Sequence, residues 1–315
     1  MLLLCAGHIS VAQKPYSDSL KQILAHTSNP DRKVDLLCDI AYDLVNFDDS
    51  AALSYVLVAK KIAQENHYQA GLKYALTIIG LGDFTSGKYA EALTAFRASK
   101  NIRADQNPNL AGYNLLLTGS VFRDSGSYDS AVYYYHQAIQ TIGENGDPYY
   151  LGFAYWGLGY TKAIVWQNQE ALDYLRKAET YSSKNPRDYY VLMNVWDMYG
   201  RVYDQLLDFE KADAYYSKMC EREKIDHDYL QRLKCLVHES AVAIRQGDLA
   251  RALSVAFKAL EVSDIYRYPQ QRVQVYDQIG LIYSELSQYS LAIQYFLEGL
   301  KLSERSGLRF ETASL

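Results

Sequence analysis

The chain has few residues of the kinds that do metal or nucleophilic chemistry: four cysteines and six histidines in 315 residues. His8, His26, His67, His136, His227 and His238 are scattered, with no His-x-x-x-His pair, and no Cys-x-x-Cys occurs. The spacings by which a helix or turn presents ligands to a metal are therefore missing. There is no glycine-rich phosphate loop and no Gly-x-Ser-x-Gly elbow, the strained turn that exposes a serine nucleophile. No metal, no cofactor and no catalytic residue is expected, and an enzyme is not the reading. A formal net charge of −5, with no dense Lys/Arg stripe, argues against a nucleic-acid partner. No apolar run approaches the ~20 residues that cross a bilayer.

The composition is that of a folded soluble chain, 49% hydrophobic and 22% charged, with 30 tyrosines as its oddity. Tyrosine packs as a large apolar ring and keeps a polar tip, which suits half-buried helix faces and binding surfaces. The opening MLLLCAGHISVAQ is a short apolar run followed by small residues at Ser10-Val11-Ala12. It predicts that residues 1–12 are the remnant of a secretory signal, with an exported, periplasmic mature chain. The basic segment that usually precedes such a run is missing, and an uncleaved cytoplasmic N-terminus is the alternative. Residues 13–30 form a lead-in.

Internal repetition dominates the rest. The stretch GKYAEALTAF at residues 87–96 returns as GSYDSAVYYY at 126–135, and the alanine of this pattern recurs as Ala52, Ala92, Ala131, Ala171, Ala212, Ala252 and Ala292, 39 to 41 residues apart. Twelve residues before each anchor stand Ile40, Gly80, Gly119, Gly159, Gly200, Ser240 and Gly280. Four after it stand Val56, Phe96, Tyr135, Leu175, Tyr216, Ala256 and Phe296, and seven after it Ala59, Ser99, Ala138, Ala178, Met219, Ala259 and Gly299. Offsets of four and seven share one helical stripe, so each repeat reads as two antiparallel helices with the anchor in the second. A glycine inside a helix costs up to ~1 kcal/mol relative to alanine, so its recurrence needs a packing reason. The expected one is a crossing of glycine against the anchor alanine, with the following aromatic filling the groove between repeats. Pro108, Pro148, Pro186 and Pro269 fall where each second helix should stop.

This pattern of a small residue in the first helix, Gly-x-aromatic at the turn, and Ala, aromatic, Ala in the second resembles the tetratricopeptide repeat (TPR). The resemblance spans residues 31–303 as seven repeats. It implies an all-α fold, a right-handed superhelical TPR solenoid of about seven helix-turn-helix repeats. The repeats are longer than the usual ~34 residues. They resemble the arrays of bacterial signalling proteins, such as peptide-sensing Rap-type regulators and the sensor segments of Bacteroidetes-type histidine kinases. Residues 304–315 read as the start of a further helix, which predicts an output domain beyond this chain.

In such arrays the first helices line a concave face that holds a peptide or protein segment. Stepping back from each anchor along the first helix picks Tyr74, Tyr113, Arg123, Phe153, Trp156, Tyr160, Asn194, Asp197, Arg201 and Asp204 as ligand contacts. They make an aromatic wall beside a charged patch, in which aromatics anchor by burial and charges set register. The plainer alternative is that some of these aromatics pack between helices and that Asp197, Arg201 and Asp204 are ion pairs within one helix. Cys220 and Cys235 flank a turn near His227 and would meet as a disulfide in an exported chain, although buried free thiols are the commoner use of such cysteines. The resulting expectation is a non-catalytic scaffold for a peptide or protein ligand in bacterial signal transduction. The alternatives are a stand-alone cytoplasmic peptide-responsive regulator and a structural assembly factor.

Overall fold

A computed structural model of the chain describes residues 16–305, apart from 46–47, 103–106, 185–188, 227–228 and 266–268. The signal-like residues 1–12, the segment 306–315 and Pro186 lie outside the described residues. Every element in the described residues is a helix. A lead-in helix, α1 (Tyr16–Ala25), precedes seven pairs of first and second helices. These are α2 (Pro30–Leu44) with α3 (Asp49–Glu65), α4 (Gln69–Thr85) with α5 (Tyr89–Asn101), α6 (Pro108–Asp124) with α7 (Tyr128–Ile142), and α8 (Pro148–Ile164) with α9 (Asn168–Ser182). The rest are α10 (Tyr190–Gln205), α11 (Phe209–Asp226), α12 (Tyr229–Arg245), α13 (Leu249–Ile265), α14 (Pro269–Glu285) and α15 (Tyr289–Arg305). Two compact units result, one ending at Leu207 with α1–α10 and one from Asp208 with α11–α15. The lead-in read from the sequence contains α1, whose Leu20 is buried and which packs on α2.

Each second helix opens three residues before its anchor, from Asp49 in α3 to Tyr289 in α15. All seven anchor alanines are buried. The glycine column has a different cause from the one expected. A Cβ on Gly80 would fall 2.5 Å from the Phe96 ring, one on Gly280 2.6 Å from Phe296, one on Gly119 3.0 Å from Tyr135, and one on Gly159 2.9 Å from Leu175. The glycine therefore accommodates chiefly the large side chain four residues past the anchor of its own repeat, and at Gly159 a Cβ would also come within 3.3 Å of the anchor Ala171 carbonyl. The exceptions obey the same volume rule: Ile40 is paired in sequence with the smaller Val56, and Ser240 with Ala256. Ser240 Oγ donates to the carbonyl of the anchor Ala252 at 2.9 Å, which satisfies its polar group in the buried crossing.

The prolines also act differently. Pro30, Pro108, Pro148 and Pro269 are the first residues of first helices, not the stops of second helices. Proline fits that position because its missing N–H would have no partner there and its φ is already helical. Asn29, Asn107 and Asp147 cap three of these starts through their side chains. The turn between first and second helix places the residue five before the anchor in the left-handed region, with Gly87, Gly126 and Gly247 at φ 75° to 79°. Trp166, Leu207 and Ser287 occupy the same position at φ 58° to 60°.

Cys220 and Cys235 are joined as a disulfide between α11 and α12, with Cα atoms 5.5 Å apart, and so are not the separate buried thiols that the commoner use suggested. The bridge spans a sequence separation of 15 residues. A loop of that length gives about 3 kcal/mol of stabilisation through restriction of the unfolded chain. Reduction, or Cys220→Ser, is expected to destabilise the α11–α15 unit by about that amount in urea unfolding, and an unchanged midpoint would contradict it.

Candidate functional site

Within the first unit, α6 packs against α8, and α8 against α10, so three first helices present one continuous face. Arg123 stands in the last turn of α6, where a cation complements the helix dipole. Its side chain is only 7% exposed. Nε donates to Asp124 Oδ1 at 2.7 Å and Nη1 to the Tyr135 hydroxyl at 3.2 Å. Burial works against the charge, but Asp124 and the surrounding hydroxyls outweigh it, so the guanidinium is held firmly protonated. Its plane lies over the Tyr160 ring, 4.4 Å from the centroid, and 5.5 Å from that of Trp156. A cation over aromatic faces in a desolvated site is worth about 2 kcal/mol.

Trp156 is central to the aromatic wall. Its ring lies 5.3 Å from Phe153 and 5.6 Å from Tyr160, and its Nε1 donates to the Asn194 carbonyl at 3.1 Å, joining α8 to α10. Phe153, Trp156 and Tyr160 are half-buried, so their rings still offer surface to an incoming group. On α10, Asp197 and Arg201 form an intrahelical pair, Nε to Oδ2 at 3.3 Å, with Asp197 buried and Arg201 about one-third exposed. Asp204, at the end of the same helix, is half-buried.

The other residues predicted for this face lie below the surface. Tyr74, Tyr113, Arg123, Asn194 and Asp197 are all buried. Being buried, they support the face rather than form its outer layer. Tyr74 donates its hydroxyl to Asp39 Oδ1 on α2 at 3.0 Å, and Tyr113 packs on Tyr150 at 5.5 Å and hydrogen-bonds Tyr42. The Asn194 amide nitrogen donates to the Tyr190 carbonyl at 2.7 Å.

Two carboxylates on α2 escaped the repeat reading. Asp35 accepts from the Tyr68 hydroxyl at 3.1 Å, and Asp39 from Tyr74. The signal was present: thirteen residues before the anchor, the other repeats carry Ile79, Thr118, Leu158, Tyr199, Glu239 and Ile279, mostly without charge. Burial lifts the Asp39 carboxyl from 3.8 to about 6, against the opposing pull of the Tyr74 hydrogen bond. Between those values the folded chain holds more protons than the unfolded one, so this group's contribution to stability is present below about 3.8 and lost as pH rises through about 6. Asp39→Asn is expected to raise the melting temperature at pH 7 relative to wild type and to narrow that gain towards pH 4. Parallel melting curves for the two proteins would be the contrary result.

Among the described residues, no group of three His, Cys, Asp or Glu side chains is placed to hold a metal ion, and no helix is long and apolar enough to cross a membrane. A tetratricopeptide-repeat family model matches residues 194–225 and 273–306. A search of curated proteins finds no match. Solved structures share the fold across most of the chain. The Rap conjugation gene regulator of the plasmid pLS20, in complex with the Phr* peptide, aligns with a TM-score of 0.70 and 15% identity over 94% of this chain and 86% of its own. Aspartyl phosphate phosphatase F from Bacillus subtilis aligns at 0.67 and 14% over 96% and 79%. A tetratricopeptide repeat protein from Parabacteroides merdae aligns at 0.52 and 14% over 87% and 99%. The fold is the all-α helical-repeat architecture of TPR arrays and Rap regulators.

Proposed function

We propose that this TPR array is a non-catalytic scaffold that binds a peptide or an extended protein segment on the first-helix face of α6, α8 and α10. The observation that carries the reading is the half-buried Trp156 held between Phe153 and Tyr160, with Arg123 fixed over its edge of the wall. A rigid aromatic surface with its cation already positioned loses little freedom on binding, which is the property of an anchoring hot spot. The solved regulator of plasmid pLS20 with its Phr* peptide supports the choice of a peptide as ligand class, since it shares this fold.

We infer further that the chain serves as the sensor or interaction segment of a bacterial signalling protein in an oxidising, extracytoplasmic compartment. The Cys220–Cys235 disulfide supports that location, because such bonds persist where thiols are not kept reduced. The test of the binding role is selection of peptides from a random display library on the immobilised chain. Recovered peptides should bind the intact first-helix face and lose affinity when Trp156 is truncated. Failure to recover any peptide that depends on this face would overturn the proposal.

A further inference from the structure

In each earlier repeat the second helix is covered by the first helix of the next, and three positions counted from the anchor make printable contacts across that boundary. One residue past the anchor, Asp213 on α11 pairs with Arg245 in the last turn of α12. Four past it, Tyr135 on α7 lies 2.5 Å from where a Cβ on Gly157 of α8 would stand, and Tyr216 on α11 stacks on His238 of α12 at 3.4 Å. Eight past it, Glu179 on α9 accepts from Trp196 Nε1 of α10 at 3.0 Å. The same three positions on α15 are Ile293, Phe296 and Leu300. Phe96 is 1% and Tyr135 0% exposed, but Phe296 is 36% exposed. Its inner side packs on Gly280 as theirs do on Gly80 and Gly119, so the bare side is the one that faces a following repeat. Ile293 and Leu300 are exposed with it, as are Tyr289 and Leu297. These five residues fall at i, i+4, i+7, i+8 and i+11, a single apolar stripe along α15. A repeat array whose last stacking face is apolar needs a cover.

The earlier repeats show what fits this face: an α-helix of this same chain. At ~200 Å² for a large side chain and about half exposure, the five residues bare roughly 500 Å² of apolar surface. A standard interface buries about 800 Å² per partner, of which about 65%, or roughly 520 Å², is apolar in homodimers. The stripe is thus the size of one half of a dimer interface. The other end of the array offers no matching surface, because α1 closes it, packed on α2 with Leu20 buried. A head-to-tail contact would need two complementary ends, whereas a two-fold contact uses the same stripe twice and closes on itself. Antiparallel pairing centred between Phe296 and Leu297 sets Ile293 against Leu300 of the partner subunit, and Phe296 against Leu297 of the partner subunit. At the rim, Lys301 is closed onto Glu298 at 2.9 Å, so this pair brings no uncompensated charge to the contact. We propose that the apolar stripe of α15 is a self-association face, through which two copies of this chain pair as antiparallel helices.

The test is sedimentation velocity of the full chain at about 50 μM, above the micromolar Kd of the weakest standard-sized interfaces. Wild type should sediment at twice its chain mass of 35.9 kDa, with no peptide added. Ile293→Glu/Leu300→Glu changes two positions that are exposed in the single chain, so its helical circular-dichroism spectrum should be retained. Its association should weaken by at least about a hundredfold, because like charges would face each other across the pair. Ile293→Glu/Leu300→Lys loses the same apolar surface but sets opposite charges together in the antiparallel arrangement, so it should associate at least about tenfold more tightly than the first variant. A wild-type chain that stays monomeric at this concentration would overturn the proposal, and the cover of α15 would then be a following helix or another protein. So would a folded first variant that dimerises as wild type does, or a folded second variant that associates no more tightly than the first.

Discussion

Tyr135→Ala is expected to destabilise the α1–α10 unit by about 3–5 kcal/mol, the range for deleting a fully buried aromatic side chain. For a unit of this size that is a fall in melting temperature of about 6–20 °C. The position is demanding because the ring is enclosed by two repeats. A Cβ on Gly119 would come within 3.0 Å of it from its own repeat, and one on Gly157 within 2.5 Å from the next. Its hydroxyl meets Ser120 Oγ at 3.1 Å and receives Arg123 Nη1 at 3.2 Å. Truncation therefore opens a cavity, loosens the stacking of repeats three and four, and removes a partner from a buried cation. Tyr135→Phe separates these effects: it keeps the ring and loses the hydroxyl, at a cost of about 1–3 kcal/mol. A phenylalanine variant as stable as wild type would show that the hydroxyl contributes nothing to Arg123.

Trp156→Ala is expected to weaken peptide binding by about 2 kcal/mol or more, roughly thirtyfold, as loss of a central aromatic anchor does. The melting temperature should change less than for Tyr135→Ala, since the indole is half-buried whereas the Tyr135 ring is fully buried. Trp156→Phe keeps an aromatic face but loses the N–H donor and part of the ring area, so its affinity should fall between those of wild type and Trp156→Ala. Isothermal titration with a selected peptide resolves the three proteins. Were Trp156→Ala to bind as wild type does, the partner would engage another surface, as a structural assembly factor would through its outer helices.

Sequence periodicity revealed the architecture because a stacked repeat imposes the same contact every 39–41 residues. The anchor alanine is buried in every repeat, so a larger side chain has no room there and alanine stands in all seven. What the glycine faces was not legible. Whether it meets the anchor or the side chain four residues on depends on how far the helices are rotated, and periodicity does not report rotation. The prolines were misplaced for a related reason: the turn between repeats is short, so the end of one helix and the start of the next fall within a few residues.

The candidate site was partly legible. Stepping back along the first helix picked a side of α8 on which Phe153, Trp156 and Tyr160 are half-buried. It could not tell Tyr74, Tyr113, Arg123, Asn194 and Asp197 from surface residues, because spacing along one helix does not report burial. Asp39 was hidden for the opposite reason, standing in a column where most other repeats carry uncharged side chains. The bridge between Cys220 and Cys235 was visible as a proximity across one turn, but bonding depends on side-chain direction that spacing does not give.

The most direct test of the account is amide hydrogen exchange of the full chain with and without a selected peptide. The account predicts protection concentrated on the first helices α6, α8 and α10, strongest over Phe153–Tyr160, with the second helices α7 and α9 unchanged. Protection confined to the second helices, or spread evenly over both sets, would contradict it.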